Sequence, residues 1–218
     1  MLFGNRLPAR IHQTVLAGMG LFTGAVGIQL FLETENVLIV LGSVVIGSII
    51  GELLAIEDGL RAFGAFLEKR FSKPEAGNPN ESRFIRGFLT ASLIFIIGPM
   101  AILGSIRDGL SGDYSLLAIK STLDGFAALA FASTLGVGVL FSALPIFLYQ
   151  GGISLLAVQA QAFITQPMMN EMTAAGGLML VGIAISSLLE LKPIRVGNML
   201  PALAVAPLIV ALLDLLPK

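Results

Sequence analysis

Apolar runs of about twenty residues, broken by short polar or glycine- and proline-containing stretches, dominate this chain, which is the pattern of helices that cross a bilayer. Seven such spans are predicted, at about 11–32, 36–56, 84–103, 114–136, 144–163, 173–189 and from near 201 to near 216. Pro8 suits the first turn of the first span, and Glu33 and Glu35 mark its exit. The second span carries Gly47-Ser-Ile-Ile-Gly51, a small-xxx-small face that lets helices approach closely, followed directly by Glu52. Residues 57–86 read as a polar loop, flexible from Lys69 to Asn80, with Glu57 and Asp58 solvated at the interface. Pro99 is expected to kink the end of the third span, Pro145 lies near the start of the fifth, and Glu171 reads as the acidic start of the sixth. The predicted fold is therefore all-α: a polytopic transmembrane helix bundle forming one integral membrane domain over residues 1–218.

Composition agrees and narrows the chemistry. Only 12% of the 218 residues are charged and 56% are hydrophobic, with a mean hydropathy of +0.91, whereas soluble domains carry about 25% charged residues. A net charge of −1 leaves no basic face for nucleic acid. Without cysteine, and with His12 the one histidine, disulfides, thiol chemistry and Cys- or His-rich metal sites have no residues to build on. No cofactor or metal is expected. His12 sits one turn into the first span with no acidic neighbour at helical spacing, and reads as an interface residue. Met1 to Arg10 holds no apolar core of the length a cleavable signal needs.

Loop charges set the topology. With the N-terminus inside and seven crossings, ten Lys and Arg side chains fall on the inner side, against Arg107 and Lys218 on the outer. That asymmetry is what the positive-inside rule expects, and merging two spans would move Lys192 and Arg195 to the wrong side. One internal echo accompanies it. Gly4-Asn-Arg-Leu-Pro-Ala9 recurs as Gly197-Asn-Met-Leu-Pro-Ala202, each at an inner-side helix start. Internal duplication, common in transporters, and a chance reuse of an Asn-x-x-Pro helix start both account for it.

Four motifs stand in order: Asn5-Arg-Leu-Pro8, Gly51-Glu-Leu-Leu-Ala-Ile-Glu57, Gly109-Leu-Ser-Gly-Asp113 continuing to Lys120-Ser-Thr-Leu-Asp124, and Asn198-Met-Leu-Pro-Ala-Leu203. Together they resemble the YdfK/YqgA-like family of uncharacterised bacterial inner-membrane proteins, a domain-of-unknown-function family. The resemblance covers the whole chain. It implies a bacterial multi-pass inner-membrane protein with no assigned substrate and no assigned site residues. It also implies a further glycine-rich helix ahead of the first motif, which this sequence lacks and which would put the native N-terminus outside.

The candidate chemistry lies in charges within the spans. Asp113, Lys120 and Asp124 are spaced seven and four apart, so they share one helical stripe. Counted from Tyr114 at ~1.5 Å per residue, Lys120 lies about 9 Å deep and Asp124 about 15 Å, near the midplane. Glu52, entering from the opposite side, lies about 24 Å from Asn36. Lys120, Asp124, Glu52 and Asn198, with the Ser121 hydroxyl, are expected to form a polar column, because ionisable groups in a span mark ion and solute paths. The bland readings stand beside it: Lys120 and Asp124 at i,i+4 neutralise each other, Asp113 caps a helix, and Asn198 caps another.

The function expected is a secondary transporter or channel for an ion or small solute, with the bilayer and that solute as partners and no ATP. Two readings remain open. One is an intramembrane aspartyl-type enzyme using Asp113 and Asp124, although Gly-Leu-Ser-Gly-Asp is not Gly-x-Gly-Asp. The other is a packing or regulatory subunit, whose small-residue faces around Gly18–Gly27 and Gly47–Gly51 would join copies into a homo-oligomer.

Overall fold

The computed structural model of the protein describes residues 9–71, 82–159 and 164–215. Within these it is all helical. The helices are α1 (Ala9–Phe31), α2 (Val37–Leu53), α3 (Ile56–Phe71), α4 (Arg83–Ile96), α5 (Pro99–Ser111), α6 (Ser115–Leu135), α7 (Ala143–Leu155), α8 (Gln166–Ile183) and α9 (Ala202–Asp214). Short 3-10 segments, Val137–Ser142 and Val196–Met199, lead into α7 and α9, and α8 ends in a π-helical turn, Ala184–Leu188. Among the described residues five helices are long and apolar enough to cross a membrane, or up to seven when each of the bent pairs α2–α3 and α4–α5 is taken as one span. The exposed side chains fit that reading: Leu38, Leu53, Phe126, Leu129, Phe147 and Leu155 are bare on the outside of the bundle, as lipid-facing residues are.

The bundle is organised around α8, not around the charged stretch that leads into α6. Of the helices able to span, α8 with its π turn is the most enclosed, and α6 the least. Ala174, Ala175, Gly176 and Gly177 make the middle of α8 so slim that neighbours pack on several sides. A Cβ at Gly177 would stand 2.5 Å from the Gly27 carbonyl oxygen on α1, and one at Gly176 would meet Ile97 at 2.8 Å. Ala174 and Ala175 form a small core with Val40 of α2 and Ala206 of α9. Around this axis Leu93, Ile97, Ile102 and Ile106 of α4 and α5 meet Met169, Met172, Met179 and Ile183 of α8.

Two breaks differ from the predicted spans. The stretch 57–86 is not one loop: Leu60, Gly64 and Leu67 recur at helical spacing between charges, and α3 lays that face against Phe84, Ile85 and Phe88 of α4. The third span does kink before Pro99, but it continues to Ser111, so Arg107 to Ser111 are helical rather than part of a turn. Ile97 and Gly98 interrupt it, Gly98 at φ 138, a conformation reserved for glycine, and α4 and α5 meet at 65°. The first, second, fourth and seventh spans match within a few residues; the helix of the fifth ends at Leu155, with residues 160–163 outside the described ones, and the sixth begins at Gln166 and so encloses Glu171. The first Asn-x-Leu-Pro element lies outside the described residues, as does most of the stretch Lys69–Asn80.

Parts of the small-residue faces are used within the chain, while a Cβ at Gly18 on α1 would meet nothing within 4 Å. Gly27 is spent on α8, Gly47 would put a Cβ 2.4 Å from the Ala202 nitrogen, and Gly51 would put one 1.9 Å from the Asn198 carbonyl oxygen.

Candidate functional site

The end of the bundle that carries Arg61, Arg86 and Arg195 holds a dense polar network. Ala55, at φ 50, turns α2 into α3 through 54° and swings Glu57 back under the Val196–Met199 segment. Asn198 bridges both sides of that turn. Its Oδ1 accepts from the Glu57 backbone N–H at 2.8 Å, and its Nδ2 donates to Glu52 Oε2. Glu57 answers: its Oε2 accepts from the Gly197 N–H at 3.0 Å, and its Oε1 accepts from Arg61 at 2.7 Å. Asn198 and Glu57 are 3% and 4% exposed, so Glu57 is a buried, fully bonded carboxylate rather than the solvated interface residue expected. Outside them, the exposed Arg195 guanidinium donates to Glu52 at 2.6 Å and to Asp58, whose hydrogen bond raises Arg195 further above its ordinary value.

Beside this network a cavity of about 430 Å³ opens between α3, α4 and the end of α8. Glu57, Arg61, Arg86, Glu190 and Arg195 surround it, and Leu89, Thr90, Leu93, Ser186 and Ser187 line it further. From Arg86 to Leu93 along α4 is about 10 Å, so the cavity reaches well into the span. Its far wall is the π turn, where the Leu189 N–H reaches back to the Ala184 carbonyl at 2.8 Å; such turns recur at functional positions. Glu190 follows at φ 54, an uncommon conformation for a non-glycine residue, and pairs with Arg86. Two donors here stay unmatched in the buried interior: Arg86 Nε and the Thr90 hydroxyl.

Lys120 and Asp124 form an ion pair on the inward stripe of α6, with Lys120 7% exposed. Leu117 packs at Gly104 of α5, and Leu135 at Gly87 of α4, so α6 runs antiparallel to the bent pair. That register sets Lys120 and Asp124 level with the Ile97–Gly98 break. Ser121 points away and is exposed. Asp113 lies in the turn before α6, its carboxylate accepting from the Ser115 N–H at 3.1 Å, and the bond to Ser115 holds its pKa below the ordinary 3.8. Eleven residues of mostly helical chain separate Asp113 from Asp124, about 16 Å, so the two aspartates do not form a catalytic pair.

The expected column therefore divides. Glu52 and Asn198 come together at the charged end, whereas α6 packs chiefly on α4, α5 and Val137–Ser142, with α4 between Lys120 and the cavity. Sequence reasoning missed the cavity residues Arg86, Thr90, Ser186, Ser187 and Glu190. The signal available was the i,i+4 spacing of Glu57 with Arg61 and of Arg86 with Thr90, which places each pair on one helical face.

Sequence reasoning also misplaced Glu171. This residue is 2% exposed inside α8, where it accepts from the Thr34 hydroxyl at 2.6 Å and from the N–H groups of Glu35 and Asn36 at 2.9 and 3.0 Å. It anchors the α1–α2 connection, whose Asn36 caps α2 by accepting from the Leu38 N–H.

Comparison with known proteins places this geometry in a family. The family described as "Protein of unknown function (DUF554)" matches residues 1–211. The chain is 31% identical to "Uncharacterized protein YqgA" of Escherichia coli (strain K12) over 205 residues, covering 94% of this chain and 86% of the relative. It is 30% identical to "Uncharacterized membrane protein YdfK" of Bacillus subtilis (strain 168) over 213 residues, covering 96% and 87%. No solved structure matches.

Proposed function

Because the chain belongs to the family described as Protein of unknown function (DUF554), a description that assigns no activity, we propose its role from its own residues. It is a secondary transporter or channel for an ion or small solute. The observation that carries this reading is the cavity of about 430 Å³, which enters from the charged end and runs up α4 towards the break at Ile97–Gly98. Polar cavities ending near an interrupted helix are where membrane transporters hold their cargo, because broken helices free backbone groups to bind it. The Lys120–Asp124 pair at the level of that break supplies the charge that coupling requires, since an ion pair inside a span is costly to keep without a role. The reading places the protein in a bacterial inner membrane, supported by the organisms of its relatives. The end bearing Arg61, Arg86 and Arg195 then faces the cytoplasm, as the charge asymmetry favours.

The test is flux. The full chain, reconstituted into liposomes carrying a pH-sensitive or a sodium-sensitive dye, is expected to dissipate an imposed proton or sodium gradient faster than empty liposomes. Asp124→Asn is expected to return the rate to that of empty liposomes. No flux of either ion, or flux indifferent to Asp124→Asn, ends this reading.

A further inference from the structure

We infer that the cavity at the charged end is a binding site for a small oxyanion, a carboxylate or a phosphate- or sulfate-like group, held by Arg86 and Thr90. These two residues sit one turn apart on the same face of α4, and both line the cavity. Thr90 is 1% exposed and its hydroxyl has no partner; Arg86 donates one guanidinium nitrogen to Glu190 while its buried Nε–H has none. Buried donors without partners are rare and call for an explanation, and a ligand that accepts from both is one. Across the cavity Ser186 and Ser187 bring two more hydroxyls, 3.4 Å apart, on the π turn.

The sign of the ligand follows from which groups are already engaged. Both carboxylate oxygens of Glu57 accept hydrogen bonds within the protein, and Glu190 already accepts from Arg86. A cation would find each of these carboxylates already paired with an arginine, Glu57 with Arg61 and Glu190 with Arg86. An oxyanion would find one charged N–H, the Thr90 hydroxyl and whichever of the Ser186 and Ser187 hydroxyls is not donating to the other, and the bond from Arg86 would be charge-assisted, the stronger kind. The inference deepens the transport reading by naming the class of cargo, and depends on it only for the step from binding to passage.

The test is binding, measured apart from flux. With no tryptophan and no cysteine in the chain, the readout is the thermal unfolding of the purified full chain in detergent, followed by circular dichroism. Sulfate, phosphate, acetate and succinate are titrated at constant ionic strength against chloride, and a separate arm adds phosphatidylglycerol or cardiolipin to the micelles. At least one oxyanion is expected to raise the melting temperature saturably. Thr90→Val, nearly the same shape without the hydroxyl, is expected to weaken binding about tenfold or more. Arg86→Lys, which keeps the charge opposite Glu190 but loses the second donor, is expected to weaken it likewise. If only the anionic lipids act, and the same variants abolish the effect, the oxyanion is a lipid headgroup rather than a free solute. If no probe gives a saturable shift, or if both variants respond as wild type does, the unpaired donors bind only water and the inference fails. Saturable binding alongside absent flux would remove the transport reading and leave this one standing.

Discussion

Replacing Glu171 by alanine tests whether a buried carboxylate, rather than apolar packing alone, holds the start of α2. The side chain accepts three hydrogen bonds, from the Thr34 hydroxyl, the Glu35 N–H and the Asn36 N–H. The hydroxyl can re-form part of what is lost, because Thr34 Oγ1 already lies 3.1 Å from the Asn36 nitrogen. The Glu35 N–H, left without its acceptor, and the weakened bond at Asn36 then account for most of the cost. Bonds to a charged acceptor contribute about 1.5–3 kcal/mol each, so Glu171→Ala is expected to cost about 2–4 kcal/mol. Glu171→Gln keeps one carbonyl oxygen for the backbone donors and loses the charge assistance, so about 1–2 kcal/mol is expected.

The assay is equilibrium unfolding in mixed micelles, followed by far-ultraviolet circular dichroism, with hydrogen exchange at the Glu35 and Asn36 amides as a local reading. The alanine variant should lose protection at those two amides before the interior of α2 does. An alanine variant within 1 kcal/mol of wild type, with both amides still protected, would contradict the anchoring argument.

At the other end, Gly51→Ala should destabilise by about 1–3 kcal/mol, because its Cβ would stand 1.9 Å from a backbone oxygen that no rotamer change can move; a neutral outcome in the same unfolding assay would contradict that contact. Asn198→Ala should cost about 1–3 kcal/mol by stranding the buried Glu57 N–H, whereas Arg195→Gln, which breaks two exposed ion pairs, should cost less than about 1 kcal/mol and less still in high salt; equal costs would refute the distinction. The carboxylate of Asp113 is depressed in the folded protein, so its contribution to the start of α6 is present above the unfolded value of 3.8 and disappears as the pH falls through the lower folded value; a carboxyl NMR titration with a midpoint at or above 3.8 would rule this out. Amides flanking the Ile97–Gly98 break should exchange faster than those of Ala174 to Gly177 in the middle of α8, and equal protection would mean that the bend is as rigid as the α8 axis.

What the sequence made legible was whatever depends on near neighbours. Apolar runs reveal spans because one helix must hide its own backbone from lipid, and Pro99 reveals a bend because it lacks an N–H. The Lys120–Asp124 pair was readable for the same reason, being four residues apart. Glu57 and Glu171 were misread as interfacial because a carboxylate looks the same in sequence whether water or protein surrounds it. Arg61 at i+4 was a local hint for Glu57, but the partners that enclose the two carboxylates, Gly197 and Thr34, lie 140 and 137 residues away, and no local pattern reports them. The central place of α8 was hidden in a similar way. Gln166, Asn170 and Glu171 look like the polar margin of a span, and only the run of four small residues hinted that other helices would press against it.

The two misread carboxylates explain how the bundle divides. Glu171 ties α8 to the α1–α2 connection at one end, and Glu57 ties α3 to the α8–α9 connection at the other. Between those ties, Gly27 against Gly177, Gly47 against Ala202 and Gly51 against Asn198 bring backbones into direct contact, leaving no side-chain layer to slide. Helices α1, α2, α8 and α9 are therefore held together by these ties and by direct backbone contacts. Helices α4 to α7 also meet backbone to backbone, Gly109 against Ser154 and Gly138 against Phe84, but they carry a 65° break at Gly98, a second interruption at Gly136 and Val137–Ser142, and no buried residue on α7 between Ala143 and Leu155. The cavity lies on the boundary, with α4 as one wall and the π turn of α8 as the other. Glu57 and Arg61 of α3, with Ile194, Arg195 and Val196, also line it. Under the proposed transport, the Gly98 break is the place in α4 where a change of shape would reach the cavity wall.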